Sequence, residues 1–208
     1  MRIISGEFGG QKIIAPGGDK VRPTSDKIRG AIFNSLRSKI DIAGAHVMDV
    51  FSGSGALGLE AISNGAAFCT FIDINRESIG AAKQNAVNLN ALSRCRFIMT
   101  DAVKIKPRGD DLKPADIVFM DPPYKKDLIC PALMALHGGG WVKPGGVCVL
   151  EAEKTFDTGE IENFNIMDEK TYGDTRVVFL IPTISNPGHK KTETLQTDAN
   201  ENGRDNPK

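Results

Sequence analysis

From residue 45 to residue 182 the chain alternates short β-rich runs with helical segments, and few folds accept that pattern. The runs His46 to Phe51, Phe68 to Asp73, Arg96 to Thr100, Asp116 to Asp121 and Val147 to Glu151 read as strands. Between them Ala56 to Asn64, Glu77 to Asn90 and Leu128 to His137 read as helices, the first stopped by Gly65. Parallel neighbours need long crossovers, so this repetition predicts a parallel sheet wrapped by helices. Two last strands, about Asn165 to Lys170 and Arg176 to Ile181, are joined through Tyr172-Gly173-Asp174-Thr175. That join is too short for a crossover, which makes the final pair antiparallel and the sheet seven-stranded.

Ahead of this core, Arg2 to Ile4 and Lys12 to Ala15 read as a small β-hairpin interrupted by Gly6, Gly9 and Gly10. A helix from about Asp26 to Lys39 follows, with apolar positions Ile28, Ile32, Phe33, Leu36 and Ile40 and an N-cap from Thr24 or Ser25. The expected organisation is a hairpin and helix extension over 1–40, a main domain over 41–184, and a polar tail over 185–208 too poor in apolar residues to order itself.

With 26 basic and 26 acidic residues the chain is neutral, which argues against coating nucleic acid by charge alone. No apolar run approaches the roughly 20 residues of a membrane helix, and the N-terminus has no apolar core suited to secretion, so the cytosol is the expected compartment. Cys69, Cys95, Cys130 and Cys148 show no ligand spacing and His46, His137 and His189 are scattered; reduced core thiols and no metal site are expected.

Asp49, Asp73, Asp101 and Asp121 each stand at or just past a strand end. Carboxyl ends of parallel strands face one crevice, so four carboxylates there would suit a cationic ligand, although each could equally cap the following helix. The segment Asp49-Val50-Phe51-Ser52-Gly53-Ser54-Gly55-Ala56-Leu57-Gly58 matches a GxGxxG loop that lets backbone approach a ligand at a helix N-terminus. Asp73, 20 residues beyond Gly53, lies where an acid holds the ribose of an adenosine. A dinucleotide is one candidate, but Asp49 would repel its pyrophosphate. The same carboxylate would accept hydrogen bonds from the ammonium of S-adenosylmethionine, whose sulfonium is also cationic.

Asp121-Pro122-Pro123-Tyr124 follows the fourth strand. The two prolines remove backbone donors and stiffen the loop, leaving carbonyls free to accept from a planar amine while Tyr124 offers a stacking surface. An exocyclic amine on a nucleobase is a poor nucleophile, because its lone pair is delocalised into the ring. Acceptors on both its hydrogens, here Asp121 and the Pro122 carbonyl, localise that pair. The plain alternative is a rigid turn that ends a strand.

These motifs resemble those of amino methyltransferases acting on adenine, cytosine or guanine. With Arg2-Ile3-Ile4-Ser5-Gly6, the block from Arg22 to Arg29, Phe33-Asn34 and Tyr172 to Thr175, residues 1–182 resemble the bacterial RsmD family. The resemblance implies a Rossmann-like, class I S-adenosylmethionine-dependent methyltransferase with a mostly parallel sheet and an antiparallel last strand. It implies methylation of guanine N2 at position 966 of 16S ribosomal RNA (standard rRNA numbering) within the small subunit or an assembly intermediate; a monomer is the expected state. The catalytic set it implies is Asp121, Pro122, Pro123 and Tyr124. The set it implies for the methyl donor is Asp49, Phe51, Ser52, Gly53, Gly55, Asp73, Ile74, Asp101 and Ala102. In one departure, Gly30 follows Arg29 where the family commonly has an acidic residue.

Residues 1–40 carry eight basic side chains against three acidic ones, a surplus suited to gripping phosphates. Arg2, Lys12, Arg22, Thr24, Lys27 and Arg29 are the expected RNA contacts, and the target guanine should be unpaired or flipped. Rival readings are an adenine-N6 or cytosine-N4 DNA methyltransferase, a non-catalytic RNA-binding assembly factor, and a nicotinamide oxidoreductase. The absence of an added target-recognition domain in these 208 residues weighs against the DNA reading, and the expected pocket charge disfavours nicotinamide dinucleotides.

Overall fold

The structure, a computed structural model, describes residues 1–17, 25–123 and 127–183. Its elements in chain order are α1 (Asp26–Leu36), β1 (His46–Val50), α2 (Ala56–Ser63), β2 (Phe68–Asp73), α3 (Arg76–Asn88), β3 (Cys95–Met99), β4 (Ala115–Met120), α4 (Ile129–Gly138), β5 (Val142–Glu153), β6 (Phe164–Tyr172) and β7 (Thr175–Pro182). All seven strands form one sheet in the order β3-β2-β1-β4-β5-β7-β6. Strands β1 to β5 pair in parallel, and β7 inserts antiparallel between β5 and β6.

Side-chain alternation divides the core between the two faces of the sheet. Val47, Phe71, Ile117, Phe119, Val149 and Phe179 pack on one face with α1, α2 and the alanine side of α3. Met48, Val118, Met120, Leu150 and Leu180 pack on the other with α4 and Trp141. Ile3, Phe8 and Ile13 of the N-terminal arm are buried in the first of these clusters, so the arm shares the main domain's core. Ser25 supplies the N-cap of α1, its Oγ accepting from the Ile28 N–H at 3.2 Å. Among the described residues no helix is long and apolar enough to cross a membrane.

Three expectations are corrected. The N-terminal hairpin reduces to a single antiparallel bridge, Arg2 to Lys12. Backbone groups that a longer ladder would pair go elsewhere: the N–H groups of Ile4 and Ser5 donate to the Glu60 carboxylate and that of Glu7 to the Ser63 carbonyl. Helix α1 stops at Leu36, before Lys39, because the last turn tightens: Lys39 and Ile40 both donate to the Leu36 carbonyl. Strand β5 begins at Val142, five residues before the expected Val147. The chain passes through Lys143-Pro144-Gly145-Gly146 as an irregularity in the β4 pairing and resumes register at Ile117 and Val147.

Candidate active site

Neighbouring strands β1 and β4 mark the point where strand order reverses, the place where open α/β sheets bind ligands. Asp49 lies in β1, Asp73 ends β2, Asp101 follows β3 by two residues, and Asp121 follows the last residue of β4. Asp49 and Asp73 share the sheet face of Val47 and Phe71, against α2 and α3.

Three of these carboxylates accept backbone N–H groups in the segments that follow their strands, as the capping alternative expects. Asp49 Oδ2 accepts from the Gly58 N–H at 2.8 Å, and Asp101 Oδ1 from the Val103 N–H at 3.0 Å. Asp73 takes two bonds, from the Gly53 N–H at 2.9 Å and the Asn75 N–H at 2.8 Å. These bonds fix the glycine loop and the starts of the segments after β1, β2 and β3. Asp49 is the extreme case. Burial pushes its carboxyl well above the usual carboxylate range, the Gly58 N–H pulls the other way, and the neighbouring charges of Asp121 and Asp73 raise it further. Asp49, Asp73 and Asp121 thus form one electrostatic cluster.

The loop after β1 is held in unusual backbone conformations. Phe51, a non-glycine, sits at φ +64° and Gly55, the N-cap of α2, at +77°. The Ser52 N–H reaches back to the Ile72 carbonyl at 3.0 Å, and the Gly55 N–H closes the turn on the Ser52 carbonyl at 2.7 Å. Gly58 is required for a different reason: a Cβ there would lie 2.4 Å from Phe71 Cε1 and 2.5 Å from Cys69 Sγ, so only glycine lets α2 lie this close to β2. The Ser52 hydroxyl is buried without a hydrogen-bond partner among the described residues, a polar atom left for something else to satisfy. Ile74 stands 67% exposed beside Asp73 as an apolar platform, and Ala102 is buried.

In the proline loop Asp121 is half-buried, Pro122 buried and Pro123 exposed; Tyr124 lies outside the described residues. One acid was missed. Glu151 follows Leu150, the partner of Met120 at the end of the β4 pairing, and is buried on the face of Val149 and Val177. The same signal was present in the sequence, since the expected strand Val147 to Glu151 also ends in a carboxylate. Three of the four thiols are held protonated: burial pushes Cys95 and Cys148 up to about 12 and raises Cys69 well above its ordinary value.

Of the expected RNA contacts, Arg2, Lys12 and Lys27 are exposed, while Arg22 and Thr24 lie outside the described residues. Arg29 is corrected. It is fully buried, 2.9 Å from Asp26 Oδ1 and 3.5 Å from Glu60 Oε2, and it donates to the Arg2 carbonyl. A guanidinium enclosed in that way holds the arm to α2 and cannot reach a phosphate. The helix-spaced Ile28, Ile32 and Leu36 already signalled which side of α1 is inward, and Arg29 lies beside that stripe.

A seven-stranded sheet with one antiparallel insertion, a glycine turn after β1 and acids at the strand ends defines the class I methyltransferase fold. A family model described as "Conserved hypothetical protein 95" matches residues 1–181, and the chain belongs to this family, the RsmD family. It is 30% identical to "Ribosomal RNA small subunit methyltransferase D" of Haemophilus influenzae, over 83% of this chain and 89% of that one. It is 34% identical to the protein of the same description from Escherichia coli K12, over 74% and 75%. The solved structure "Putative methyltransferase yhhF" from Escherichia coli superposes with a TM-score of 0.74 at 31% identity, covering 88% of this chain and 98% of that one.

Proposed function

We propose that this protein transfers a methyl group from S-adenosylmethionine to the exocyclic N2 of a guanine in 16S ribosomal RNA, guanine 966 by family resemblance, on the small subunit or an assembly intermediate. The observation that carries this reading is the placement of Asp49, Asp73 and Asp121 on β1, at the end of β2 and just after β4, around the switch point and beside the glycine loop that Asp73 and Asp49 fasten. Relatives described as small-subunit ribosomal RNA methyltransferases support the choice of acceptor.

The residues present suit this donor. Asp49, ionised when a cation binds beside it, can accept from an ammonium, Asp73 can accept from ribose hydroxyls, and the Ser52 Oγ, without a partner among the described residues, can bond a polar group of the ligand. Phe51, Gly53 and Gly55 shape the loop, Ile74 gives an adenine an apolar surface, and Asp101 with Ala102 closes the rim. When bound, S-adenosylmethionine supplies an electrophilic methyl on a cationic sulfur.

The chain's own task is then orientation. The Asp121 carboxylate and Pro122 carbonyl accept the two N2 hydrogens, localising the nitrogen lone pair toward the incoming methyl, and Tyr124 stacks on the base. Pro123 rigidifies the corner and takes no part in proton transfer. Asp121 or water takes the proton that the methylated amine sheds. Arg2, Lys12, Arg22, Thr24 and Lys27 grip backbone phosphates and sugars.

Incubation with methyl-labelled donor and naked 16S RNA, small subunits or duplex DNA, followed by nucleoside analysis, tests this. Label in N2-methylguanosine is expected. Label in N6-methyladenine or N4-methylcytosine of DNA would establish the rival amino methyltransferase, and RNA binding without transfer would leave an assembly factor.

A further inference from the structure

Helix α3 buries a face of small residues, Ser78, Ala81, Ala82 and Ala86, and among them one large polar side chain, Asn85, fully enclosed. A buried amide is costly unless bonded, and this one is bonded three ways. Its Oδ1 accepts from the Ile14 N–H at 2.8 Å, and its Nδ2 donates to the Ile14 carbonyl and to the Ser54 carbonyl, both at 2.9 Å. Only this orientation of the amide satisfies all three partners.

The two ends of this clamp belong to different parts of the site. On one side is the glycine loop. In a trans peptide the carbonyl and the following N–H point opposite ways, so a Ser54 carbonyl held toward α3 directs the Gly55 N–H at Ser52, where it closes the turn at 2.7 Å. The loop rests directly on α3, since a Cβ on Gly55 would come within 3.0 Å of Ala82 Cβ. On the other side is the N-terminal arm. Three residues beyond Ile14, a Cβ on Gly17 would lie 3.0 Å from Glu77 Oε2, in the first turn of α3 and next to the Asp73–Asn75 rim. The arm, which carries the exposed Arg2 and Lys12, therefore runs along α3 toward the crevice as far as Gly17.

We infer that Asn85 is a positioning residue that couples the methyl-donor loop to the N-terminal arm, so that donor and RNA each tighten the binding of the other through it. The inference rests on the methyltransferase reading above. A donor that orders the Ser54–Gly55 peptide orders the amide that grips Ile14, and RNA held by the arm does the reverse; linkage makes the two effects equal.

The test is the affinity of the full-length protein for S-adenosylhomocysteine with and without a 16S RNA fragment spanning the guanine found by labelling. The wild type is expected to show a ratio in the range of about 5–150-fold, and Asn85→Leu, similar in size but unable to hydrogen-bond, a ratio near one. A merely structural Asn85 would lower stability or both affinities and leave the ratio intact, which would overturn the inference. Hydrogen exchange of the wild type gives a second readout that needs no variant: S-adenosylhomocysteine should slow exchange at the Ile14 amide, and an unchanged rate would overturn the inference. No binding of S-adenosylhomocysteine by the wild type would overturn the methyltransferase reading itself, whereas binding without coupling overturns the linkage alone.

Discussion

Arg29 Nε lies 3.5 Å from Glu60 Oε2, and their side chains are 0% and 1% exposed. The same carboxylate accepts the N–H groups of Ile4 and Ser5 at 2.7 and 2.9 Å, so one buried acid fastens both α1 and the arm to α2. Removing one member of a buried ion pair strands the other charge at a cost of about 3–5 kcal/mol. Arg29→Ala is expected to lose roughly that much in chemical denaturation. Exposed Lys27→Ala should change stability by less than about 0.5 kcal/mol and weaken RNA binding with a shallower salt dependence. A stable Arg29→Ala protein that has lost only RNA affinity would restore Arg29 to the RNA-binding surface.

Asp49 makes both stability and donor binding depend on pH. Its folded carboxyl titrates above its unfolded value, so between the two the folded state holds the extra proton and stability falls as pH rises through that window. A cationic donor favours the ionised form, so affinity should rise with pH until Asp49 is ionised in the free protein, with proton release on binding below that point. Asp49→Asn keeps an acceptor for the Gly58 N–H and should be more stable at neutral pH, bind the donor more weakly, and show no such slope. Calorimetry in two buffers of different ionisation enthalpy checks the proton release.

Two glycines should respond oppositely to a methyl group. Gly58→Ala drives a Cβ into Phe71 and Cys69 and is expected to cost about 1–3 kcal/mol. Gly30 lies inside α1, where its Cβ would meet only Ile4 Cδ1 at 3.8 Å; Gly30→Ala should stabilise by about 0.5–1 kcal/mol. Thermal melts of the two variants decide this, and a destabilised Gly30→Ala would mean that α1 is shaped by more than propensity.

The sheet was legible because hydrophobic periodicity changes cleanly between strands and helices: β2 is Phe68–Asp73 in both readings, and the antiparallel closing pair followed from a four-residue join. The arm was not legible. Its backbone partners are the side chain of Glu60 and the carbonyl of Ser63, more than 50 positions away, and no local pattern announces such partners. Arg29 misled for a similar reason, since charge in a sequence says nothing of the acid that will enclose it. Strand-end acids and the glycine loop were readable because position relative to a strand end is local, and the same criterion applied evenly would have found Glu151.

Asp121 orients an amine in this account, while Asp49 and Asp73 hold the donor. Asp121→Ala should therefore lower kcat by about 100- to 1,000-fold with a much smaller change in donor Kd. Steady-state kinetics beside equilibrium binding separate the two roles, and a parallel loss of both would reassign Asp121 to donor binding.

The most direct measurement is isothermal titration of the wild-type protein with S-adenosylmethionine and, separately, with NAD. The cluster of Asp49, Asp73 and Asp121 should take up the cationic methyl donor and give no heat with the anionic dinucleotide. Saturable binding of NAD with none of S-adenosylmethionine would contradict the account at its root.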